Sequence, residues 1–356
     1  MTQSPNYGIG LRELKDADMR EEFTQYDGAV VLVTGATGFT GRALTRKLVA
    51  AGARLRIIAR KTSDLGDLAD QDIQVFRGEV YDEELIHEAT RGVHYIFHVA
   101  AAFRETHPDE EGYRRVHLYS TQALAKSVVD QPQFRRFLHV STVGVYGHIE
   151  GGPASEDYRF SPGDPYQRTK LEGETWLAQF GKENDLPYSI IRPAPIFGPG
   201  DMRLLKIFRM VSKGFFMKLG GSKGCYHMIH VDDLTNVMML AAVREEALSE
   251  AFIAAGDEPI SMVDMARLIA SKIGRSVRII RLPVWPFYLA ADICCAVCRP
   301  LGVSPPLYRR RVDFFTKDRI FDNSKAKKLL DYRFLYDNER GIEETANWYM
   351  QQNLIR

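Results

Sequence analysis

The sequence predicts an α/β fold: a doubly wound parallel sheet with a smaller C-terminal lobe. Three observations lead there. The first half of the chain alternates short apolar, β-rich runs with helical stretches, the pattern of a parallel sheet covered by helices on both faces. Gly35, Gly38 and Gly41, spaced three apart, fall between the first strand of that series and its first helix. The length, 356 residues, suits one large α/β domain with an appended lobe.

Taken in order, residues 1–27 read as a polar, acid-leaning N-terminal extension that could hold a short helix. Apolar runs at 29–33, 55–59, 73–76, 95–99 and 136–140 read as buried strands, with helical stretches at 41–51, 82–89 and 113–129 between them. A further strand, 188–192, follows a helix that starts near Tyr166. The glycine turn then lies where a dinucleotide pyrophosphate rests on a helix N-terminus, in a Rossmann-type arrangement. Gly35 permits the tight turn, Gly38 lets backbone approach phosphate, and Gly41 lets helix and strand pack closely. Past Arg192 the pattern loosens: Pro193, Pro195 and Pro199 with Gly198 and Gly200 mark a long turn out of the sheet. An amphipathic piece at 203–213 follows, and 230–243 with 251–255 read as a return to the main domain. Beyond Ser261 a helix (261–273), a strand (276–281) and a proline-bounded apolar helix alternate. The expected division is therefore a dinucleotide-binding domain at 28–194, rejoined by 229–257, and a substrate lobe made of 195–228 and 258–356.

Apolar content of 45% and charged content of 26% are ordinary for a globular protein, and a net charge of +1 gives no electrostatic case for nucleic acid. Of the four cysteines, Cys294, Cys295 and Cys298 cluster in an apolar stretch and Cys225 stands apart. No histidine is near the cluster and adjacent cysteines suit zinc poorly, so buried free thiols in a reducing, cytoplasmic setting are expected. The N-terminus has no secretory pattern, and the apolar run 284–297, broken by Pro286 and Asp292, is too short to span a bilayer.

Two further segments carry chemistry. Tyr166 and Lys170 lie four apart on one face of a helix. A tyrosine hydroxyl titrates near ~10 in water, and a neighbouring ammonium, helped by a cationic nicotinamide ring, lowers that value enough to let it exchange protons with a substrate oxygen. The alternative is a solvated helix pair. At the end of the strand 136–140, Ser141 and Thr142 place hydroxyls on the sheet edge where ligands of open α/β sheets bind; capping a turn is the alternative for either one.

Together these residues resemble the extended branch of the short-chain dehydrogenase/reductase superfamily, the NAD-dependent epimerase/dehydratase group, over roughly residues 28–350. The resemblance is carried by Thr34–Gly41, His98-Val-Ala-Ala101, Ser141–Tyr146, Tyr166 with Lys170, Arg192-Pro193 and His230–Leu234. It implies that Tyr166 is the acid/base, Lys170 its activator and Thr142 the hydroxyl on the reacting oxygen. Cofactor contacts are implied for Gly35, Thr37, Gly38, Phe39, Thr40 and Gly41. They are also implied for Arg60, Lys61, Glu79 and Val80, for Val99, Ala100 and Ala101, and for Tyr166, Lys170, Pro193 and Ile196. Glu79 stands where the family usually has aspartate. The resemblance gives Asp232 and Asp233 a hydrogen-bonding part, so no metal is expected although His227 and His230 lie beside them. It sets His98 beside the cofactor without a catalytic part.

Within the superfamily, members acting on nucleotide sugars usually carry asparagine where this chain has Pro195 and often arginine where it has Tyr226; dehydratases place Asp-Glu where it has Val143-Gly144. The tail, notably Arg319–Ala326 and Gly341–Trp348, is similar instead to the 3β-hydroxysteroid dehydrogenase-like group. Residues 283–301 then read as an apolar wall or lid for the substrate, or equally as lobe core. A peripheral membrane contact through Trp285, Phe287, Tyr288 and Leu289 with the basic run 309–311 is the lesser reading, a solvated face being the ordinary one for that run. Arg60, where NAD-selective enzymes place a carboxylate, makes NADP(H) the favoured cofactor and NAD(H) the alternative. The expectation is an oxidoreductase interconverting a secondary alcohol and a ketone on an apolar, sterol-like or β-keto/β-hydroxy acyl substrate, as a homodimer by family analogy. The alternatives are a nucleotide-sugar epimerase with tightly held NAD and a non-catalytic NAD(P)-binding regulator.

Overall fold

The computed structural model describes residues 23–102, 110–221, 224–298, 300, 305–307, 309, 312 and 318–355. The elements of the main series are β1 (Val30–Thr34), α1 (Phe39–Ala50), β2 (Arg54–Ala59), β3 (Ile73–Arg77), α2 (Glu83–Ala89) and β4 (Tyr95–His98). A composite helix α3 follows, made of Glu110–Arg114, a π-helical turn Arg115–Tyr119, and Ser120–Val128. Then come β5 (Arg136–Val140), α4 (Pro165–Glu183) and β6 (Tyr188–Pro193). The remainder contains β7 (Ile196–Phe197), α5 (Leu205–Ser212), β8 (Phe215–Leu219), β9 (Cys225–Tyr226), β10 (Ile229–His230), α6 (Val231–Val243) and β11 (Ala251–Ala254). It continues with β12 (Ile260–Ser261), α7 (Met262–Lys272), β13 (Arg278–Leu282), α8 (Trp285–Cys298), α9 (Ser324–Leu329) and α10 (Asn338–Gln351).

Seven strands form one parallel sheet in the order β11-β6-β5-β4-β1-β2-β3, so the doubly wound expectation holds. The pleat of β1 shows why both faces are covered. Val31 and Val33 enter an apolar layer with Leu44 and Leu48 of α1 and Leu234 and Val237 of α6. Val30 and Leu32 enter the opposite layer with Leu124 and Val128 of α3 and Leu177 of α4. α6 packs on this sheet, and β11 pairs with β6 at its edge. Phe23 and Tyr26 are fully buried in the first layer, and the Tyr26 hydroxyl donates to the Met239 carbonyl at 2.8 Å. The chain therefore packs on the domain from Phe23 onward; the short helix considered within 1–27 falls mainly outside the described residues.

The lobe has its own core around Phe208, Phe216, Tyr226, Met265, Ile269 and Tyr349. Several of its strands escaped the sequence reading because they are two residues long and pair with distant partners: Tyr226 with Ile260, Ile229 with Ile196. β13 was foreseen, and it pairs in parallel with the unforeseen β8.

α8 corrects one expectation. Of its residues only Ala291 is buried, while Trp285, Leu289, Ile293 and Val297, four apart, are 66%, 52%, 56% and 56% exposed. It is not lobe core: a helix apolar all round gives no sequence signal for the face it buries. The cysteines it carries are accordingly half-buried thiols rather than fully enclosed ones, and Cys225 is half-buried too. Arg309 grips Asp292 with two bonds of 2.6 Å. Arg310 and Arg311 lie outside the described residues, and so does part of the 283–301 segment. No described helix is long and apolar enough to cross a membrane.

Candidate active site

The glycine turn separates what the chain needs for itself from what it leaves open. Gly35 has φ +72°, and a Cβ there would lie 2.8 Å from the Ala100 nitrogen and 2.9 Å from its Cα. A Cβ on Gly41 would lie 2.1 Å from the Gly35 carbonyl oxygen. Both must be glycine for β1, α1 and β4 to meet. Gly38 has ordinary extended backbone, φ −81° and ψ 172°, and its nearest Cβ contact, 3.3 Å to the Gly35 oxygen, is tight but not an overlap. Nothing within the fold forces glycine at 38. It sits at the N-cap of α1, which no side chain caps, so the first-turn amides remain for an anion. β1 lies between β4 and β2, the crevice where the strand order reverses. These features fit the diphosphate of a dinucleotide.

The β4 edge of this crevice is braced from beneath. Thr34 Oγ1 accepts from the Ala100 N–H at 3.2 Å and meets His98 Nδ1 at 2.8 Å, while His98 Nε2 meets Ser120 Oγ at 3.0 Å. Because the Ser120 hydroxyl donates to the Val116 carbonyl, the network assigns the His98 proton to Nε2 and makes Nδ1 the acceptor of the Thr34 hydroxyl. Burial, then the charge of Lys170, pushes His98 down to about 3, so it is a neutral brace. Beyond this edge Ala101 is exposed and Ala100 buried, with Val99 half-buried.

Three candidate catalytic residues converge on the next strand end. Asp164 caps α4 by accepting from the Gln167 N–H at 2.9 Å, and Pro165 begins the helix, which places Tyr166 in its first turn. Thr142 stands beside the Tyr166 hydroxyl, near enough for its side chain to favour the tyrosinate. Thr142 Oγ1 accepts from the Gly144 N–H at 3.0 Å, so it caps its turn beside the tyrosine. Lys170, 1% exposed, donates to the Val140 carbonyl at 2.8 Å and the Ala100 carbonyl at 3.4 Å, tying α4 to the ends of β5 and β4.

The ionisation of this group differs from the sequence expectation. Burial first, then the charge of Asp164, pushes the Tyr166 hydroxyl up to about 12, with the charge of Arg203 and the Thr142 side chain working the other way. Burial likewise brings Lys170 down to about 7, opposed by Glu174. The Lys170 ammonium is turned to backbone carbonyls, so in the chain alone the charge that lowers Tyr166 is that of Arg203.

The other candidates line the same C-terminal edge. Arg60 and Lys61 are exposed past β2, and Arg77 Nη1 fixes their loop by donating to the Arg60 carbonyl at 3.1 Å and the Ser63 carbonyl at 2.9 Å. Past β3, Glu79 is exposed and Val80 buried. Pro193 closes β6, and Ile196 in β7 is half-buried. Thr37, Phe39 and Thr40 are half-buried around the α1 N-terminus. The His/Asp group has a structural part: Asp233 accepts from the Tyr332 hydroxyl at 2.5 Å and from the Leu335 and Tyr336 amides at 2.8 and 3.1 Å, fastening the tail to α6. His227 Nε2 meets the Gly256 carbonyl at 2.7 Å, and His230 Nδ1 accepts from the Asp232 N–H at 3.3 Å.

Two residues at the site escaped the sequence reading. Arg203 comes from the lobe, held by Asp201 at 2.7 Å and by the Ile196 carbonyl. His117 comes from the π turn of α3 and packs edge-on against the Tyr166 ring, centroids 5.3 Å apart. Neither has a short-range spacing signal. Arg192, noted only as a motif, is buried and pairs with buried Glu174, with its guanidinium donating to the Tyr146 hydroxyl at 2.6 Å.

Comparison with known proteins agrees with this geometry. The 3 beta-hydroxysteroid dehydrogenase/Delta 5→4-isomerase of Mycobacterium tuberculosis is 28% identical over 360 residues, 96% of this chain and 94% of that protein. UDP-glucose 4-epimerase of Vibrio cholerae is 23% identical over 332 residues, covering 91% of this chain and 96% of the relative. The crystal structure of gox2253 matches 92% of this chain and 100% of its own with a TM-score of 0.78 and 26% identity. The NAD dependent epimerase/dehydratase family model matches residues 31–254, the whole of the seven-stranded sheet but for the first residue of β1. A match over well more than half of the chain leaves one assignment: this protein belongs to the NAD-dependent epimerase/dehydratase family, enzymes of the extended short-chain dehydrogenase/reductase type.

Proposed function

We propose that the protein is an NADP(H)-preferring oxidoreductase that interconverts a secondary alcohol and a ketone on an apolar, sterol-like or β-keto/β-hydroxy acyl substrate. The observation that carries the reaction type is the pairing of the Thr142 and Tyr166 hydroxyls at the sheet edge beside the glycine cradle. A bound nicotinamide supplies or accepts hydride. Thr142 and Tyr166 hold the reacting oxygen between two hydroxyls, and Tyr166 gives or takes its proton. Lys170 fixes α4 to the strand ends and orients the site.

The substrate reading rests on the lobe. Tyr226, where nucleotide-sugar enzymes often have arginine, is 4% exposed and packed in the lobe core, so it offers no charge to a diphosphate. Pro195 has no side-chain donor, and its carbonyl accepts from the Ile229 amide at 3.0 Å. The NADP(H) preference rests on β2 ending in exposed Arg60 and Lys61, a pair suited to a ribose 2′-phosphate.

The test is a screen of NADPH oxidation against ketosteroids and β-ketoacyl esters, run beside a panel of UDP-sugars. Stoichiometric loss of NADPH with an apolar ketone is the expected result. Conversion of a UDP-sugar with no net change in nicotinamide would overturn the proposal in favour of an epimerase.

A further inference from the structure

We infer that His117 is a positioning residue for the proton-exchanging tyrosine: one imidazole clamps the start of α4 to the strand-end segment 99–102. The inference rests on the assignment of Tyr166 in the reaction proposed above. His117 is fully buried, and burial followed by the charge of Lys170 pushes it down to about 2, so it is neutral at any working pH. Its two ring nitrogens face different parts of the site. Nε2 accepts from the Ala102 N–H at 3.0 Å, which puts the ring proton on Nδ1. Nδ1 meets Thr169 Oγ1 at 2.8 Å and so donates to it, and that hydroxyl donates to the Pro165 carbonyl at 2.9 Å, the first turn of the helix that carries Tyr166. The imidazole edge packs against the Tyr166 ring at 84°, and Tyr113 packs on both rings, 5.8 Å from His117 and 6.4 Å from Tyr166.

The backbone is arranged to bring this ring in. His117 belongs to the π turn of α3, a local irregularity that occurs often at functional sites. Its own carbonyl accepts from the Thr121 hydroxyl at 2.7 Å and lies where a Cβ on Gly173 would come within 2.3 Å. α3 and α4 therefore touch closely beside Lys170. Above this contact, Glu110 holds Arg168 at 2.7 Å and Arg114 holds Glu172 at 2.8 Å. The ion pairs fix how the helices lie together. The imidazole fixes the first turn of α4 against Ala102, and with it the direction of the tyrosine.

The two halves of the clamp can be tested separately in the full chain. In His117→Asn the amide reaches the Nδ1 position and keeps a donor for Thr169; in His117→Gln it reaches the Nε2 position and keeps an acceptor for Ala102. His117→Leu removes both, and Thr169→Val removes only the hydroxyl. The readouts are kcat and KM for NADPH-driven reduction of the ketone found in the screen, NADPH affinity, and the ring-carbon NMR signal of Tyr166 in 13C-tyrosine protein, identified with Tyr166→Phe. The expected result for His117→Leu is a loss in kcat of about 10- to 100-fold, the scale of a roughly 1 Å misplacement, with NADPH affinity little changed and the Tyr166 signal moved. Asn and Gln should each recover part of the rate. A lower melting temperature with unchanged kcat and an unmoved Tyr166 signal, in Leu or in the milder Thr169→Val, overturns the inference. If no ketone is reduced by the wild type, the functional proposal fails alone and the NMR arm still decides the clamp.

Discussion

Gly38→Ala and Gly41→Ala are chemically the same change three residues apart, and the structure assigns them opposite consequences. At Gly41 the new methyl would lie 2.1 Å from a backbone oxygen that cannot move without shifting β1 against α1. The cost should exceed the ~1–3 kcal/mol of ordinary overpacking. At Gly38 the methyl meets only the Gly35 oxygen at 3.3 Å, with φ and ψ that alanine adopts freely. Alanine is a poorer N-cap than glycine by a few tenths to about 1 kcal/mol, and the stiffer unfolded chain returns about 0.4–1 kcal/mol, so stability should stay within ~1 kcal/mol of wild type. That methyl would stand between the α1 amides and a bound diphosphate. Loss of one hydrogen bond to a charged oxygen, about 1.5–3 kcal/mol, predicts NADPH binding weaker by roughly 10- to 150-fold. Calorimetric titration with NADPH beside thermal melts reads both quantities. A Gly38→Ala protein that binds NADPH within about threefold of wild type, or that unfolds as Gly41→Ala does, would refute the division between the two glycines.

Three further outcomes follow from the same edge of the sheet. Lys170 has a folded pKa of about 7 against an ordinary 10.5, so the unfolded chain binds the extra proton between those values and stability rises as pH climbs through that window. Lys170→Met should abolish this rise and be the more stable protein near pH 7, by at most about 5 kcal/mol, while losing turnover; equal pH slopes in urea melts of the two proteins would contradict it. Arg203→Leu removes a charge that lowers the Tyr166 pKa, so the alkaline shift in the pH profile of alcohol oxidation should be upward, and an unmoved profile speaks against that coupling. Arg60→Asp should weaken NADP(H) far more than NAD(H) in paired titrations; equal losses would remove the basis for the cofactor preference.

The sheet was legible because its inner strands are buried on both faces and read as continuous apolar runs, as β1, β4, β5 and β6 do. The lobe was not, because strands such as β9 owe their existence to partners more than thirty residues away. α8 was recognisable as a helix, but fourteen residues with a single charge carry no record of which side meets protein. In the site, Tyr166, Lys170 and Thr142 could be read from helix spacing and from a strand end. Their ionisation could not. It depends on burial and on Arg203, which the long proline turn brings in from the lobe. His117 was illegible for another reason: its place depends on a π turn, and an α-helical reading of 113–129 points it elsewhere.

That π turn makes chain length itself part of the site. Each residue of an α-helix advances the chain by about 100°, so deleting any one residue from Arg115–Tyr119 would give α3 a more regular hydrogen-bond ladder and still ruin it. Everything N-terminal to the deletion would swing round the axis, carrying Glu110 and Arg114 off Arg168 and Glu172. A gain in helical regularity would thus be registered as a loss of catalysis, and related sequences that align across this segment without a gap are the ones in which the same two helices can meet in the same way.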